Sequence, residues 1–239
     1  MTGKLSQEAR ELLKKVSTAT LTTQMLKRGF RNVFIQGVRP LNPDGPPLVG
    51  EAYTLRYIPS REDLDTLEVF KDRSHPQRKA VEDVPPGAVL VMDCRGDASA
   101  ASAGGILITR MMKRGVAGVV SDGGLRDSAE ISKLPFPAYC QAPSAPTNLI
   151  KHHAADVNLP IGCGGVPVFP GDVIVGDAEG VVVLPAHLAE EVARDSAAQE
   201  EFEEFVTEQV RGGRGIFGLY PPDPETVKEY EAWKAKRGK

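Results

Sequence analysis

The chain has 239 residues, 41% of them apolar and 26% charged, with 29 basic against 32 acidic side chains. That is enough apolar chain for a sizeable core, and a net charge of −3 excludes a broadly basic nucleic-acid surface. The 24 Gly and 19 Pro follow no period, which excludes collagen and wholesale disorder and implies many turns. The longest apolar runs, such as Ala88-Val89-Leu90-Val91-Met92, are too short to span a bilayer. No apolar signal segment follows Met1, and Cys94, Cys140 and Cys163 form no CxxC pair, so a reduced cytoplasmic protein without a disulfide framework is expected.

In chain order, 5–28 reads as a helix from the spacing of Leu5, Leu12, Leu13, Val16, Leu21, Met25 and Leu26, with Gly29 as its stop. The hydroxyl-rich stretch Ser17–Thr23 forms helix poorly and could divide it, one hydroxyl capping the second piece. Val33-Phe34-Ile35 and the alternating 50–57 read as strands. Pro86–Asp93 and Pro170–Asp177 share the pattern Pro-Gly-x-Val-x-Val-x-Asp, a tight turn feeding a strand that ends on an aspartate. A helix is expected over 101–114, then a buried strand at Val116–Val120. Short strands are expected around Ala138–Cys140, Asp156–Leu159 and Val181–Leu184, and helices over 186–211 and 224–236. No linker divides the chain. One domain over 1–239 is expected, with a helical arm at 1–30, a core at 31–185 and a second helical arm at 186–239.

Phosphate-loop, dinucleotide, HExxH and GxSxG motifs are absent. His152 and His153 are adjacent, so on a strand they point to opposite faces and on a helix they diverge, and a shared metal is not expected. The informative stretch runs from Gly104-Gly105-Ile106-Leu107 to Gly123-Gly124-Leu125-Arg126-Asp127. A glycine-rich helix start leaves free amides and a positive dipole end that suit a carboxylate or phosphate. Arg126 offers a fork for a carboxylate and Asp127 a hard oxygen ligand for Mg²⁺ or Mn²⁺. The plain structural alternative is an Arg–Asp pair with Asp127 as a helix cap.

From Pro85 to Pro185 the chain resembles the family of the regulator of ribonuclease E activity A and its relatives, the class II 4-hydroxy-4-methyl-2-oxoglutarate aldolases. The segments carrying the resemblance are Arg114–Asp127, Leu159–Val166 and Phe169–Pro185, with Ser17-Thr18-Ala19-Thr20 similar to the family's opening helix. The resemblance implies a three-layer, swivelling β/β/α fold of the α/β class and assembly as a homotrimer or homohexamer. Phe202, Phe205, Tyr220, Tyr230 and Trp233, which need a surface to cover, point to the same assembly.

By resemblance, Arg126 binds a small 2-oxo acid and Asp127 the divalent metal, Mg²⁺ or Mn²⁺. Gly104, Gly105 and the amides of Ile106 and Leu107 complete the substrate site. The implied activity is metal-dependent aldol cleavage of 4-hydroxy-2-oxo acids to pyruvate, with oxaloacetate decarboxylation as a side activity. Family aldolases carry an Asp, twenty residues, then Arg-Asp, and here Gly105 stands where that first Asp belongs. Asp97 is a candidate replacement for this acid/base. Glu200, Glu201, Glu203 and Glu204 are candidates for a carboxylate reaching a neighbouring subunit. Two further readings remain: a non-catalytic regulator that binds a ribonuclease or helicase, and a lyase or hydratase of sugar-derived 2-oxo acids. Neither nucleic acid nor membrane is expected as a partner.

Overall fold

The computed structural model describes residues 5–238. The chain opens with α1 (Gln7–Leu13) and α2 (Thr18–Lys27), so the expected 5–28 helix is two helices. Ser17 is the reason: its backbone is extended and its side chain accepts from the Thr20 amide, which starts a new helix. Next come β1 (Arg39–Pro40), β2 (Leu48–Pro59), α3 (Pro76–Asp83), β3 (Val89–Asp93), β4 (Ala101–Ala103), α4 (Gly105–Lys113), β5 (Gly118–Ser121) and β6 (Gly124–Leu125). After them follow α5 (Ser128–Ile131), β7 (Ala138–Cys140), β8 (Ala142–Pro143), β9 (His152–Val157), β10 (Ile161–Cys163) and β11 (Val166–Val168). The chain closes with β12 (Val173–Gly176), β13 (Val181–Leu184), α6 (Ala189–Arg211) and α7 (Pro224–Lys236).

Eight strands form one mixed sheet in the order β1-β7-β5-β3-β2-β12-β13, with β9 also on β2. The two Pro-Gly units lie on either side of β2: β3 pairs with it in parallel and β12 antiparallel. Each unit starts with a β-turn in which Gly87 (φ +79) or Gly171 (φ +90) takes the left-handed position that a side chain resists. The two terminal aspartates cap turns. Asp93 accepts from the Arg95 amide, and Asp177 accepts from the amide and hydroxyl of Thr18 at the start of α2.

Burial on both faces explains the valine-rich strands. In β3, Leu90 and Met92 face the helices α3 and α4 with Val81, Ile108 and Met111, while Val89 and Val91 face the hairpin β10–β11 with Cys163, Val166 and Val168. Val173 and Val175 of β12 instead pack on Leu13, Leu21, Met25 and Val192 of the terminal helices. The sheet rolls until the Tyr139 hydroxyl of β7 donates to the Asp177 carbonyl beyond β12, at 3.1 Å. The fold is thus α/β with β/β/α layering and helices at both ends.

Three expectations need correction. The helix expected at 101–114 starts only at Gly105. Ala101–Ala103 is a buried strand of a small parallel sheet with β6 and β8, and Gly104 is extended (φ −134, ψ 179). The strand expected at 156–159 runs instead over His152–Val157, because Asn158 turns left-handed (φ 57). Of the five aromatic residues expected to need a surface, Phe202, Phe205, Tyr230 and Trp233 cover one another, whereas Tyr220 stays 48% exposed. Phe205 is buried between α6 and α7, its ring 5.7 Å from that of Trp233, and the Phe202 and Tyr230 rings meet edge-on at 5.2 Å.

Candidate functional site

β4 and β6 run in parallel and end together, and the loops beyond their C-terminal ends supply the site. Beyond β4, Gly104 caps α4 with no side chain. The amides of Ile106 and Leu107 find no acceptor among the described residues, so the positive end of α4 is open. Beyond β6, the Arg126 amide donates to the Ala103 carbonyl at 3.1 Å, which clamps the two loops together. Asp127 follows in the left-handed region (φ 58), and its Oδ2 accepts the Gly105 amide at 2.9 Å. Its other oxygen lies 3.8 Å from Arg126 Nε. Asp127 therefore caps α4 across the site rather than α5, whose first residue follows it in sequence.

Close packing dictates the first glycine. A Cβ on Gly104 would lie 2.6 Å from Arg126 Cγ and 2.9 Å from Asp127 Oδ2, whereas one on Gly105 would approach Asp127 no closer than 3.4 Å. The first position excludes a side chain; the second admits one.

These groups edge a cavity of about 350 Å³ lined by Gly104, Ile106, Leu107, Arg126 and Asp127. Arg126 and Asp127 keep 47% and 41% of their side chains exposed, so both are open to a ligand. A larger recess of about 550 Å³ lies under α2, lined mostly by threonines and apolar side chains. It also carries a guanidinium, Arg31, and a carboxylate, Glu179, but the Thr18 and Thr20 amides at the start of α2 are already engaged by Asp177 and Ser17.

The cavity has a second wall that sequence reasoning missed. Gln77 and Arg78 reach it from α3, Phe70 from the turn before α3, and Asn148 from the turn before β9. Gln77 and Asn148 are each 3% exposed, yet Gln77 Oε1 and Asn148 Nδ2 find no partner among the described residues. The Arg78 guanidinium stacks 4.3 Å over the Phe70 ring, and burial pushes its pKa below the usual range. Periodicity along α3 does not mark Arg78.

The other expected carboxylates are elsewhere. Asp97 is not in the cavity wall. Its Oδ1 accepts from the Ser99 hydroxyl and amide, and these bonds hold its carboxyl below the usual carboxylate range, which weakens it as a base. The four candidate glutamates of α6 engage their own chain. Glu200 accepts from the Ser17 amide and hydroxyl, Glu201 pairs with Lys234, Glu203 accepts from the Tyr220 hydroxyl, and Glu204 pairs with Arg237. Among the described residues no group of three or more His, Cys, Asp or Glu side chains could hold a metal.

The family model described as "RraA-like: Aldolase/RraA" matches residues 18–183. The chain belongs to the RraA-like family. Its relatives include a protein of Halalkalibacterium halodurans that carries the provisional name 4-hydroxy-4-methyl-2-oxoglutarate aldolase. The two are 35% identical over 167 residues, which is 70% of this chain and 73% of that one. Among solved RraA-like structures, RraAS2 of Streptomyces coelicolor, titled an unusual member of the RNase ES inhibitor RraA protein family, superposes with a TM-score of 0.75. It is 29% identical, and the match covers 85% of this chain and 97% of that one. An uncharacterised protein of Pseudomonas syringae shares the fold at a TM-score of 0.80 and 23% identity, over 92% of this chain and 96% of that one. The family thus holds both members named as aldolases and members titled as ribonuclease inhibitors.

Proposed function

We propose that the protein is a carbon–carbon lyase of 2-oxo acids, in the manner of a class II pyruvate aldolase. One observation carries this reading: an open guanidinium, a carboxylate and the two free amides of α4 face one small cavity. In this reading Arg126 holds the C1 carboxylate through its planar fork, and the Ile106 and Leu107 amides supply further donors at the positive helix end.

The donor set fits a divalent cation of the Mg²⁺ or Mn²⁺ kind, which binds through one or two carboxylates and keeps water or substrate oxygens as its other ligands. Asp127 is the side chain that would hold it, and when bound the cation acts as a Lewis acid toward the keto oxygen. Arg126 stabilises negative charge as it develops on the same end of the substrate.

The acid/base side of the cavity is bare. Among the described residues Asp127 is the only carboxylate in its wall, and Gly105 beside it has no side chain to offer. Aldol cleavage requires a base to take the proton from the 4-hydroxyl. Decarboxylation of a 3-carboxylated 2-oxo acid does not: the C3–C4 bond pair moves toward the keto carbon, CO₂ leaves, and water protonates C3. Decarboxylation of oxaloacetate is therefore expected to outpace aldol cleavage in this chain.

The test is pyruvate release from oxaloacetate and from 4-hydroxy-2-oxo acids, with and without Mg²⁺. Metal-dependent release supports the lyase. No release from either substrate class, at any Mg²⁺ concentration, favours the second reading that Gly105 motivates, a non-catalytic regulator that binds a ribonuclease. A homotrimer or homohexamer is part of the same proposal. Leu26, 58% exposed on α2, and Phe217, 98% exposed between α6 and α7, offer apolar surface for it, and light scattering at micromolar concentration measures it.

A further inference from the structure

We propose that the outer face of α2 and the recess beside it form a two-fold interface, on which α2 of a second copy of this chain docks. The inference is independent of the lyase reading, because no residue of the recess lines the Arg126–Asp127 cavity.

The composition of α2 is the first observation. One side of the helix is buried through Thr18, Leu21, Gln24 and Met25. On a surface helix the opposite side carries charges. Here it shows Ala19, Thr22, Thr23 and Leu26, at the i, i+3, i+4, i+7 spacing of a single stripe. The only charge among the ten residues of α2 is Lys27, at its end. The stripe is also less polar than its composition suggests. The hydroxyls of Thr22 and Thr23 both donate back to the Ala19 carbonyl, at 2.8 and 3.2 Å, so the donor of each is spent within the helix. A helix with small, neutral or apolar residues on both sides is one that is covered on both sides.

Shape is the second. Leu26 and Phe30 stand exposed on the patch. Next to them the recess, at about 550 Å³, is walled by the stripe and by Val33 and Phe34. A surface that carries both knobs and a hole able to take them is self-complementary, which a two-fold contact requires because each patch meets its own copy. Small residues along the stripe let two helices approach to about 8–10 Å.

Charge identifies the occupant. Arg31 and Glu179 are exposed on the recess, and neither side chain has an ion-pair or hydrogen-bond partner among the described residues, the other included. Arg28, one turn earlier, is by contrast tied to Glu191 and Asp195 of α6. Patches facing each other across a two-fold axis bring Arg31 of each copy to Glu179 of the other, so one contact makes two ion pairs. A foreign partner would have to supply a matching acid and base on an apolar surface, whereas a second copy has them by symmetry. A two-fold contact needs an even number of copies. Of a homotrimer and a homohexamer, only the hexamer has room for it, as two trimers joined through their α2 helices.

The experiment is sedimentation velocity at micromolar concentration on the full chain, comparing the wild type, Leu26→Asp, Arg31→Glu, Glu179→Arg and the double variant Arg31→Glu/Glu179→Arg. The wild type should sediment as an even-numbered assembly. Leu26→Asp sets two carboxylates into the apolar centre of the contact and should halve the mass. Each single charge reversal turns two attractive pairs into two repulsive ones and should weaken association at least about tenfold. The double variant restores both pairs with exchanged signs, so its association should return to within about threefold of the wild type. Such rescue is a result that a merely structural role of either residue would not give. A wild type with an odd number of copies, an unchanged mass in Leu26→Asp, or single reversals that weaken association without rescue in the double variant would each overturn the two-fold interface. Circular dichroism melts, which should agree among the variants because all three positions are exposed, control for folding.

Discussion

The Asp127 carboxylate and the Gly105 amide are joined at 2.9 Å, so one oxygen of the expected metal ligand is already engaged in starting α4. The same side chain therefore has a structural task and a proposed chemical one, and the two separate by substitution. Asp127→Ala removes the acceptor and should cost about 1 kcal/mol of stability, as the loss of a helix cap does. Asp127→Asn keeps an acceptor and tolerates the left-handed backbone, so its melting temperature should stay near that of the wild type. Both should lose metal-dependent pyruvate release by at least about 10²-fold. Full activity in the Asn variant would reduce Asp127 to a cap.

The glycine pair should respond unequally. Gly104→Ala puts a methyl 2.6 Å from Arg126 Cγ, so the arginine must move, and KM for the 2-oxo acid should rise at least about tenfold. Gly105→Asp is sterically admitted and adds a carboxylate at the positive end of α4. It should raise aldol cleavage by up to about 10²-fold, the lower range for a general base, while changing decarboxylation less. A fall in both rates would mean that charge crowding with Asp127 outweighs the new base.

Stability should fall with acid partly through two histidines. Burial, first of all, pushes both His75 and His152 below the ordinary imidazole range, and neighbouring Arg78 and His153 add to the effect at His75. Depressed values in the folded state mean that folding favours the neutral ring. This contribution is complete above the unfolded value of about 6.5 and disappears as pH falls through the folded values. Urea midpoints measured from pH 7.5 to pH 5 should drop, and His152→Phe should flatten part of that slope. An identical slope in the variant would rule out His152 as a source.

All three cysteines should be unreactive in the native protein. Each is buried, with the Cys94 thiol pushed up to about 12 and the Cys140 thiol up to about 11 by desolvation. Ellman's reagent at pH 8 should label none of them until denaturant is added, and then all. Rapid labelling of one thiol without denaturant would identify a locally opening segment.

The strands were legible in the sequence where local and tertiary demands coincide. The two Pro-Gly turns require left-handed glycines, and the valine runs after them are buried on both faces, so Val89–Asp93 and Val173–Gly176 stand out. Alanine favours helix locally, yet burial in a small parallel sheet holds Ala101–Ala103 extended, so the helix expected from residue 101 starts later. At the site, Gly104, Arg126 and Asp127 form a local pattern of loop and helix start. Arg78 and Asn148 join them only through the tertiary path of α3 and of the turn before β9, and no spacing along the chain encodes that meeting. Asp97 looked suitable by proximity in sequence, yet Ser99, two residues on, already engages it.

β2 carries β3 on one edge and, on the other, β12 along its first half and β9 along its second. Val49 waits for Val175, and Tyr57 for Ala154, both far downstream. During synthesis, one edge of an early, largely apolar strand therefore stays open until most of the protein has left the ribosome. Pairings of such long sequence separation make folding slow and leave nascent chains prone to edge-to-edge association. Premature termination before residue 173 would leave at least the first half of that edge permanently unpaired, so truncated products should be found in aggregates or degraded rather than as partially active fragments.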